Sequence, residues 1–597
     1  MKTYKSRKEV PDKYKWDLTD LYKDDKAYER EFDELKSRLP ELYKYKGHIT
    51  DADKLYEFLE LDTDLNLKNE HLYVYALLVN DQELGVTKSI ERISKIEKLS
   101  SEYGKNINFF EPELLKLSTK EFKDLFIKNN KLEKYRKVLE NTYRNKEHYL
   151  KEKEANIVTS LVSAMDSYEN IYANLLNNEI DYHSITVDGE KIKLAPNNLH
   201  IIMRNKDEKI RRKAYHQFFK ELEKHAATFA SLFNSYVSMN VELAKIYNFK
   251  TTWDEKLFGT KLSNKVFNTL IKTTEGNLEP RHRFIKLLAK LNKHDKLKSY
   301  DLGITDVIIN DSNYSIEDGI KMVKEAIKPL GSEYACKMNN IFDKHCIDFC
   351  QYKGKRQGAY SCSTPDTISK ILMSYTDDLD SISTIAHEGG HNVNNQFMKE
   401  NNPIHYRDNS TIVAEVTSLM NECLLSDYVE KNGKTKKERL AGIAQLIRVF
   451  NANFYGAVRE GKLEQDMYKL VENGGTLTKD YLNSIVSESE KLYNGKYSEI
   501  DKYDKYSWVG RSHYYCKFYL FSYAISIAVA TATASKILSG DKETLNKYIE
   551  FLKCGSDKDI AETFAVLGVN LEDKKVYEDA VHFYESLLDK FEEIYND

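Results

Sequence analysis

The segment at residues 385–391 reads Ile385-Ala386-His387-Glu388-Gly389-Gly390-His391. Apolar or small residues recur around it with the spacing of a helix that packs one face against a core, at Ile382, Ile385, Ala386, Gly389, Val393 and Phe397. Histidines four positions apart on a helix project from the same face, one turn apart. The pattern therefore predicts a largely buried helix on which His387 and His391 point the same way.

The composition of the rest of the chain favours more helices. The 597 residues include only eight prolines and 24 glycines, few for this length, which indicates long helices rather than many short strands. Residues 26–39 and 52–65 show amphipathic helical patterns with charged outer faces. We therefore predict a mainly α fold.

Charge and cysteine content limit the classes of partner and compartment. The formal net charge of -4 gives no reason to expect nucleic acid or an acidic membrane as a partner. Seven scattered cysteines, an odd number, do not resemble a disulfide framework, and residues 1–9 lack the apolar core of a secretory signal. The uncharged stretch at residues 518–535 is interpreted as a buried core helix rather than a membrane span. We expect a soluble cytoplasmic protein.

The pattern His-Glu-x-x-His is suited to one kind of metal chemistry. On a helix, the ring nitrogens of His387 and His391 can both reach one zinc ion at about 2.0–2.1 Å. Glu388 lies beside them, where its carboxylate can contact a water held by the metal. Zinc lowers the pKa of such a water to about 7, and a carboxylate can move its proton to a departing amine. The alternative is a chance match on a charged surface helix.

Two glycines inside the pattern argue against that alternative. Each of Gly389 and Gly390 costs about 0.5–1 kcal/mol relative to alanine in a helix, so a plain surface helix has little reason to hold both. Close approach of another backbone, or of a substrate, would give a reason.

A catalytic zinc needs a third protein ligand, and residues 410–422 offer one. Glu415 and Glu422 recur seven positions apart beside an apolar face formed by Ile412, Val413, Val416, Leu419, Met420 and Cys423. A carboxylate beside a buried surface needs a partner, so we predict Glu415 as a zinc ligand. Glu422 would accept a hydrogen bond from the second nitrogen of a ligand histidine. Two exposed or lysine-paired glutamates are the alternative.

Other segments indicate how the chain is organised. Residues 185–192 alternate and turn at Asp188-Gly189, which predicts a small hairpin. It suggests a division into an N-terminal helical lobe, 1–200, and a second domain, 201–597, that carries the predicted zinc residues. Residues 361–375 change from loop-forming to apolar residues, which predicts a loop that enters a short strand.

Four separated motifs resemble one known family. They are residues 7–18, RKEVPDKYKWDL; residues 355–361, KRQGAYS; the zinc helix pattern; and residues 413–422, VAEVTSLMNE. Together the motifs resemble oligoendopeptidase F, a branch of the thimet-oligopeptidase family of zinc metallopeptidases.

The resemblance implies a fold and an activity. The fold would have two helical lobes enclosing a deep substrate channel, with a few short strands near the zinc helix. The activity would be cleavage of internal bonds in short oligopeptides, with one zinc ion per chain. His387, His391 and Glu415 would be the ligands, and Glu388 the general base.

The resemblance also implies substrate contacts. His513, Tyr519 and Tyr523 resemble a His/Tyr segment that donates hydrogen bonds to the substrate and to the developing oxyanion. The four-residue spacing of the two tyrosines lets both face one cleft, although core tyrosines on a buried helix are the alternative. Tyr360 and Met373 are expected to contact the substrate, and the strand near residues 371–375 could pair with an extended peptide.

Two other functions remain open. A carboxypeptidase-like enzyme that removes dipeptides would use the same residues. A non-catalytic peptide-binding scaffold could retain a degenerate site, although the intact Glu388 speaks against it. Peptide preference, oligomeric state and pathway are left open.

Overall fold

The computed structural model describes residues 4–165, 167–301 and 313–597, and most of them lie in α-helices. The mainly α prediction is therefore confirmed. The helices are α1 Asp25–Tyr43, α2 Ala52–Gln82, α3 Thr87–Ile107, α4 Phe110–Lys116, α5 Thr119–Lys128, α6 Arg136–Tyr143, α7 Glu152–Met165, α8 Ser167–Asn174, α9 Pro196–Ile202, α10 Glu208–Ile246, α11 Thr252–Thr260, α12 Asn264–Gly276, α13 Glu279–Leu291, α14 Ile316–Ala326, α15 Gly331–Asp343, α16 Leu379–Asn401, α17 Thr411–Asn432, α18 Lys436–Phe450, α19 Ala457–Glu472, α20 Lys479–Asn494, α21 Leu520–Leu538, α22 Lys542–Leu552, α23 Ile560–Val566 and α24 Lys574–Asn596.

Short strands form small sheets between the helices. The strands are β1 Ser184–Val187, β2 Glu190–Lys193, β3 Leu297–Lys298, β4 Ile347–Asp348, β5 Tyr360–Cys362, β6 Lys370–Leu372 and β7 Ser498–Glu499. β1 pairs with β2, β3 with β7, and the third sheet has the order β4-β6-β5.

The hairpin predicted at residues 185–192 is confirmed. β1 and β2 pair antiparallel, with Ile185 opposite Ile192 and Val187 opposite Glu190. Asp188 and Gly189 at the turn have φ values of 50° and 89°. Both residues therefore adopt the left-handed conformation that two-residue hairpin turns require.

The three-stranded sheet confirms the predicted strand and shortens the segment at which a peptide could pair. β6 lies between β4, to which it is parallel, and β5, to which it is antiparallel. The backbone N–H groups of Ile371, Met373 and Tyr375 donate to carbonyls of residues 346, 348 and 349. Because β6 pairs on both sides over Lys370–Leu372, an extended peptide has no free strand edge at those residues. Pairing of a peptide with residues 373–375 stays a prediction. In this sheet β4 and β5 are the outer strands, and each pairs with β6 on one side.

The chain divides into two compact units. Unit 1 contains Met1–Tyr149, Asn313–Glu422 and Asp541–Leu567. Unit 2 contains Leu150–Ser312, Cys423–Gly540 and Gly568–Asp597. Compactness does not assign a function to a stretch of chain, so the division at residue 200 stays a prediction.

Each unit has its own apolar core. In unit 1, buried leucines and aromatic residues of α1 to α6 pack together, among them Leu35, Phe58 and Leu139. In unit 2, a core rich in aromatic residues joins α10, α19, α20 and the chain before α21, and Phe229, Tyr468 and Phe518 are among its members. Burial of such side chains contributes about 1.5–3 kcal/mol each, so each core stabilises its own unit.

The uncharged stretch at residues 518–535 forms most of α21. This helix is long and apolar enough to cross a membrane by length and composition, and 72% of its apolar window is buried inside the protein. Its contacts with α24 and α19 lie within unit 2. The prediction of a buried core helix is therefore confirmed, although the helix begins only at Leu520.

Candidate active site

The helix α16 carries the His-Glu-x-x-His pattern in unit 1. It begins after Asp378, whose carboxylate accepts a hydrogen bond from the Ser381 N–H at 2.8 Å and so caps the helix. Ile382 and Ile385 are fully buried on its inner face, as the periodicity predicts. The rings of His387 and His391 lie side by side, with centroids 5.0 Å apart.

The two glycines of the pattern allow other elements to approach closely. A Cβ atom on Gly390 would lie 2.5 Å from the Thr417 carbonyl oxygen and 2.8 Å from Ser418 Cα, both on α17. A Cβ atom on Gly389 would lie 3.0 Å from the end of the Met338 side chain. Approach of another backbone, expected from the sequence, is therefore what Gly390 provides.

That crossing brings Glu415 of α17 to the two histidines. Glu415 Oε2 lies 3.5 Å from His387 Nε2 and 4.0 Å from His391 Nε2. One ligand atom from each of the three residues falls within 4.8 Å of the others. Ligands bound to a tetrahedral zinc at about 2.0–2.2 Å are separated by about 3.3–3.5 Å, so small side-chain movements would accommodate the ion.

Glu422 contacts His387 at the ring nitrogen that faces away from Glu415. His387 Nδ1 and Glu422 Oε1 are 2.7 Å apart, and Ser383 Oγ donates to Glu422 Oε2 at 3.1 Å. Burial opposes charge on this imidazole, but the bond to Glu422 prevails and raises the pKa of His387 to about 9. The predicted hydrogen bond is therefore present, and it leaves His387 Nε2 facing Glu415.

Sequence reasoning missed two polar side chains on α17. Ser418 Oγ donates to Glu415 Oε2 at 3.0 Å, and Asn421 Nδ2 donates to the Ala386 carbonyl at 2.8 Å. Asn421 also accepts a hydrogen bond from the Tyr334 hydroxyl at 2.8 Å. The spacing of Ser418, one turn after Glu415, could have signalled the first contact, but the partners of Asn421 lie too far away along the chain.

Glu388 lies beside the histidines in a largely buried position, with 8% of its surface exposed. Burial is the main cause that raises the pKa of Glu388 to about 7, and the charges of Glu415 and Glu422 add to it. Burial and the charge of His387 lower the pKa of His391 to about 3, which favours a neutral imidazole that can bind a metal. A dication held here would lower the pKa of each neighbouring group.

The predicted His/Tyr segment forms a ring cluster in unit 2. The ring centroid of His513 lies 6.2 Å from that of Tyr519 and 6.3 Å from that of Tyr523, and the two tyrosine rings are 5.3 Å apart. His513 is exposed and the two tyrosines are half-buried, whereas Tyr514 and Tyr515 are core residues. The three candidates are thus brought together on an accessible surface, while their roles stay predictions.

A buried carboxyl that sequence reasoning missed supports this cluster. Phe518 has a φ of 54°, in the left-handed region that a phenylalanine rarely adopts. Its N–H donates to Glu464 Oε1 at 2.8 Å, and Glu464 is fully buried on α19. Burial raises the pKa of Glu464 to about 8. Nothing in the local sequence indicates this contact, because the two residues are 54 positions apart.

The remaining candidates lie in the three-stranded sheet of unit 1. The Tyr360 hydroxyl donates to Asp81 Oδ2 at 2.7 Å, and Tyr360 itself lies on the edge strand β5. Met373 is only 1% exposed. Its carbonyl accepts a hydrogen bond from the buried ammonium of Lys355 at 2.7 Å. Neither side chain is free in this conformation, so a role in substrate binding stays a prediction for both.

Comparison with known protein families shows to which family the chain belongs. The profile of peptidase family M3 matches residues 201–583, and the profile described as Oligopeptidase F matches residues 113–182. The chain belongs to peptidase family M3. Membership in this family makes it a metallo-endopeptidase, and the resemblance stated from the sequence is confirmed.

Individual relatives resemble the chain over nearly its whole length. An oligoendopeptidase F homolog of Lactococcus lactis subsp. lactis is 31% identical over 99% of this chain and 98% of the relative. The group B oligopeptidase PepB of Streptococcus agalactiae is 28% identical over 99% and 98%.

Solved structures share the fold of the chain. The oligoendopeptidase-F of Enterococcus faecium has a TM-score of 0.73 at 25% identity, covering 96% of this chain and 99% of the other. A solved structure from Chlamydophila abortus has a TM-score of 0.91 at 24% identity, covering 99% and 100%. The second likeness shows the fold alone.

Proposed function

We propose that this metallo-endopeptidase uses zinc and hydrolyses internal bonds of short peptides, with Glu388 as the general base. The observation that supports this most strongly is the convergence of His387, His391 and Glu415 from two helices, with Glu388 beside them. Two imidazole nitrogens and one carboxylate oxygen are the donor set of many catalytic zinc sites, which keep a further position open.

The ion would supply one part of the chemistry. When bound, zinc lowers the pKa of a coordinated water to about 7 and polarises the scissile carbonyl. Glu388 would take the proton from the attacking water and deliver it to the amine nitrogen as the peptide bond breaks. Glu422 would keep the His387 ring in the tautomer that leaves Nε2 available to the metal.

His513, Tyr519 and Tyr523 are proposed to hydrogen-bond the substrate and the oxygen that gains charge. Their accessible clustering supports this, as does the resemblance of the segment. Removing one such donor typically lowers kcat by about 10²–10³. We therefore expect Tyr523→Phe to lower kcat with little change in KM, whereas Tyr595→Phe, on α24, should change neither. A wild-type kcat in Tyr523→Phe would remove Tyr523 from this role.

The proposed metal dependence is tested by cleavage of a fluorescence-quenched peptide alongside metal analysis. One zinc per chain, loss of cleavage on chelation and recovery with added zinc are expected. Cleavage that persists in chelated, zinc-free protein would overturn the proposal.

The nature of the products separates an endopeptidase from an enzyme that removes dipeptides. Mass spectrometry of products from a peptide with an amidated C-terminus is the measurement. Cleavage of the amidated peptide at an internal bond is expected. Its complete resistance, with dipeptides released from the free acid, would favour the exopeptidase.

Three further assignments belong to the same proposal. The catalytic segment would begin near residue 201, after an N-terminal helical lobe. Tyr360 would contact substrate from β5. Substrate contact by Met373 also stays a prediction, although the burial of this side chain speaks against it. A cytoplasmic location is proposed because the seven cysteines, all among the described residues, form no disulfide, the state that a reducing compartment maintains. Cell fractionation tests the location.

A further inference from the structure

Unit 2 contains a cavity of about 710 Å³ next to the His/Tyr cluster. His513 and Tyr523 form part of its wall, together with residues of α13, α19 and α20. Phe284, Ile285 and Leu288 of α13 give the wall an apolar strip. Its volume falls within the range of about 300–1,000 Å³ that is common for small-ligand sites.

The wall also contains four arginines, and one of them is well paired. Arg459 lies between two glutamates, with its nitrogens 2.5 Å from Glu460 Oε1 and 2.5 Å from Glu490 Oε1. All three side chains are largely buried. Arg459 is therefore neutralised by these two glutamates and stabilises the wall of the cavity.

Arg511 has no comparable partner. Its Nε lies 3.6 Å from Glu460 Oε1, beyond hydrogen-bond distance, and Glu460 already accepts hydrogen bonds from Arg459 and from the Tyr514 hydroxyl. Although burial favours the neutral acid, the charges of Arg511 and Arg459 lower the pKa of Glu460 to about 2. The Arg511 side chain is 45% exposed, so its guanidinium can bind an additional anion.

Arg281 is the second under-compensated cation in this wall. Its nitrogens donate to the Tyr493 carbonyl, Asn451 Oδ1 and Asn494 Oδ1 at 2.8–3.1 Å, all of them uncharged acceptors. No carboxylate of the described residues lies within 4 Å of it. Burial and the neighbouring charge of Arg459 lower the pKa of Arg281. A guanidinium in such surroundings is stabilised by an anion that enters the cavity.

The one aspartate of the wall does not fill this need. Asp504 accepts hydrogen bonds from the Tyr215 hydroxyl, from Ser299 Oγ at 2.6 Å and from the Asp501 N–H at 2.7 Å. Those three hydrogen bonds occupy its carboxylate. The cavity therefore combines an apolar strip with two guanidinium groups that donate no hydrogen bond to a carboxylate of the described residues: Arg511 has one carboxylate at 3.6 Å, and Arg281 donates to uncharged acceptors.

We propose that this cavity binds a carboxylate of the peptide substrate, with Arg511 and Arg281 as its cationic partners. The inference rests on the proposed peptidase function and deepens it. The cavity would favour peptides that carry a carboxylate at the C-terminus or on a side chain. A planar carboxylate can accept two parallel N–H groups from a guanidinium, the strongest form of this contact. Binding energy that is the same in ground and transition states lowers KM without raising kcat.

The first test measures binding without turnover. Glu388→Gln protein loaded with zinc is titrated with three fluorescent hexapeptides in an anisotropy assay: a free acid, its C-terminal amide, and an amide with one added glutamate. We expect the free acid to bind about tenfold more tightly than the plain amide. The same titrations are repeated with Arg511→Gln added, and with Arg212→Gln, an exposed arginine of α10 outside the cavity, as the matched control.

The three peptides distinguish the source of the carboxylate. If Arg511→Gln weakens binding of the free acid alone, the cavity binds the C-terminal carboxylate of the peptide. If it weakens binding of both acidic peptides, the cavity binds any peptide carboxylate. Either result supports the proposal. Equal affinities for all three peptides, or a loss that Arg212→Gln reproduces, would overturn it.

The second test uses turnover in the otherwise wild-type enzyme. We expect Arg511→Gln to raise KM for the free acid about tenfold at unchanged kcat, and Arg511→Lys to recover part of the loss. Thermal unfolding checks that each variant is folded. Identical KM values in wild type and Arg511→Gln would overturn the carboxylate site but not the peptidase function. Absence of any cleavage by wild type would instead count against the proposed function itself.

Discussion

In unit 1, the candidate metal ligands lie on regular turns of the helices α16 and α17. In unit 2, the His/Tyr candidates lie on irregular chain: His513 is in a short 3-10 helix at Ser512–Tyr515, and the left-handed Phe518 precedes Tyr519. The first region depends on a backbone crossing that only a glycine permits. The second depends on a buried carboxyl that holds one strained residue. A regular helix pair thus fixes donor atoms through packing, whereas an irregular turn needs a specific hydrogen bond.

The largest expected effect concerns the chemistry in the regular region. Replacing Glu388 by glutamine removes the base but keeps the shape, so we expect kcat to fall about 10²–10⁴-fold while one zinc per chain is retained. Glu400→Gln, on the exposed part of α16, is the matched control and should leave kcat unchanged. Unchanged peptide cleavage by Glu388→Gln would contradict the role of this residue.

The irregular region should show its dependence on Glu464 through pH. Because burial raises the folded-state pKa of Glu464 from about 4.5 to about 8, its contribution to the free energy of unfolding is complete below about pH 4.5 and is lost as pH rises toward 8. Relative to Glu464→Gln, wild type should lose about 4 kcal/mol over that range. Urea unfolding at several pH values measures this. Parallel curves for the two proteins would show that Glu464 is ionised in the folded state.

The crossing in the regular region can be tested at Gly390. A methyl group there would lie 2.5 Å from the Thr417 carbonyl oxygen, so we expect Gly390→Ala to lower the free energy of unfolding by about 1–3 kcal/mol and to weaken metal binding. Gly259→Ala, in α11 with no atom within 4 Å of its added carbon, should be neutral or slightly stabilising. Equal stability of both variants would show that the helices can separate freely.

The smallest expected effect concerns Ser418. Its hydroxyl bonds Glu415 Oε2, so Ser418→Ala should lower zinc affinity about tenfold without unfolding the protein. Competition with a fluorescent chelator measures the affinity. An unchanged affinity would mean that packing alone orients Glu415.

The regular region was accessible from the sequence for a physical reason. The positions of His387, His391, Glu415 and Glu422 follow helical spacing, and Gly390 marked the crossing before its partner was known. Ser418 lay within the same pattern but was not distinguished from other small residues. Helical periodicity predicts which side chains share a face of one helix, and the need of a catalytic zinc for a third ligand predicted that the two helices meet.

The irregular region was predicted only in part. The cluster of His513, Tyr519 and Tyr523 followed from resemblance and spacing, but the left-handed Phe518 and its bond to Glu464 depend on residues 54 positions apart. The strand at β6 was predicted, whereas its central place in the sheet depends on pairing that local sequence does not encode. The uncharged partners of Arg281 are equally long-range.

Zinc titration of purified protein tests most directly the claim that His387, His391 and Glu415 bind one ion together. Wild type and Glu430→Ala, altered farther along α17, should each bind one zinc per chain with the same affinity. Glu415→Ala should lose at least 100-fold in affinity. Wild-type affinity and stoichiometry in Glu415→Ala would contradict the three-ligand site.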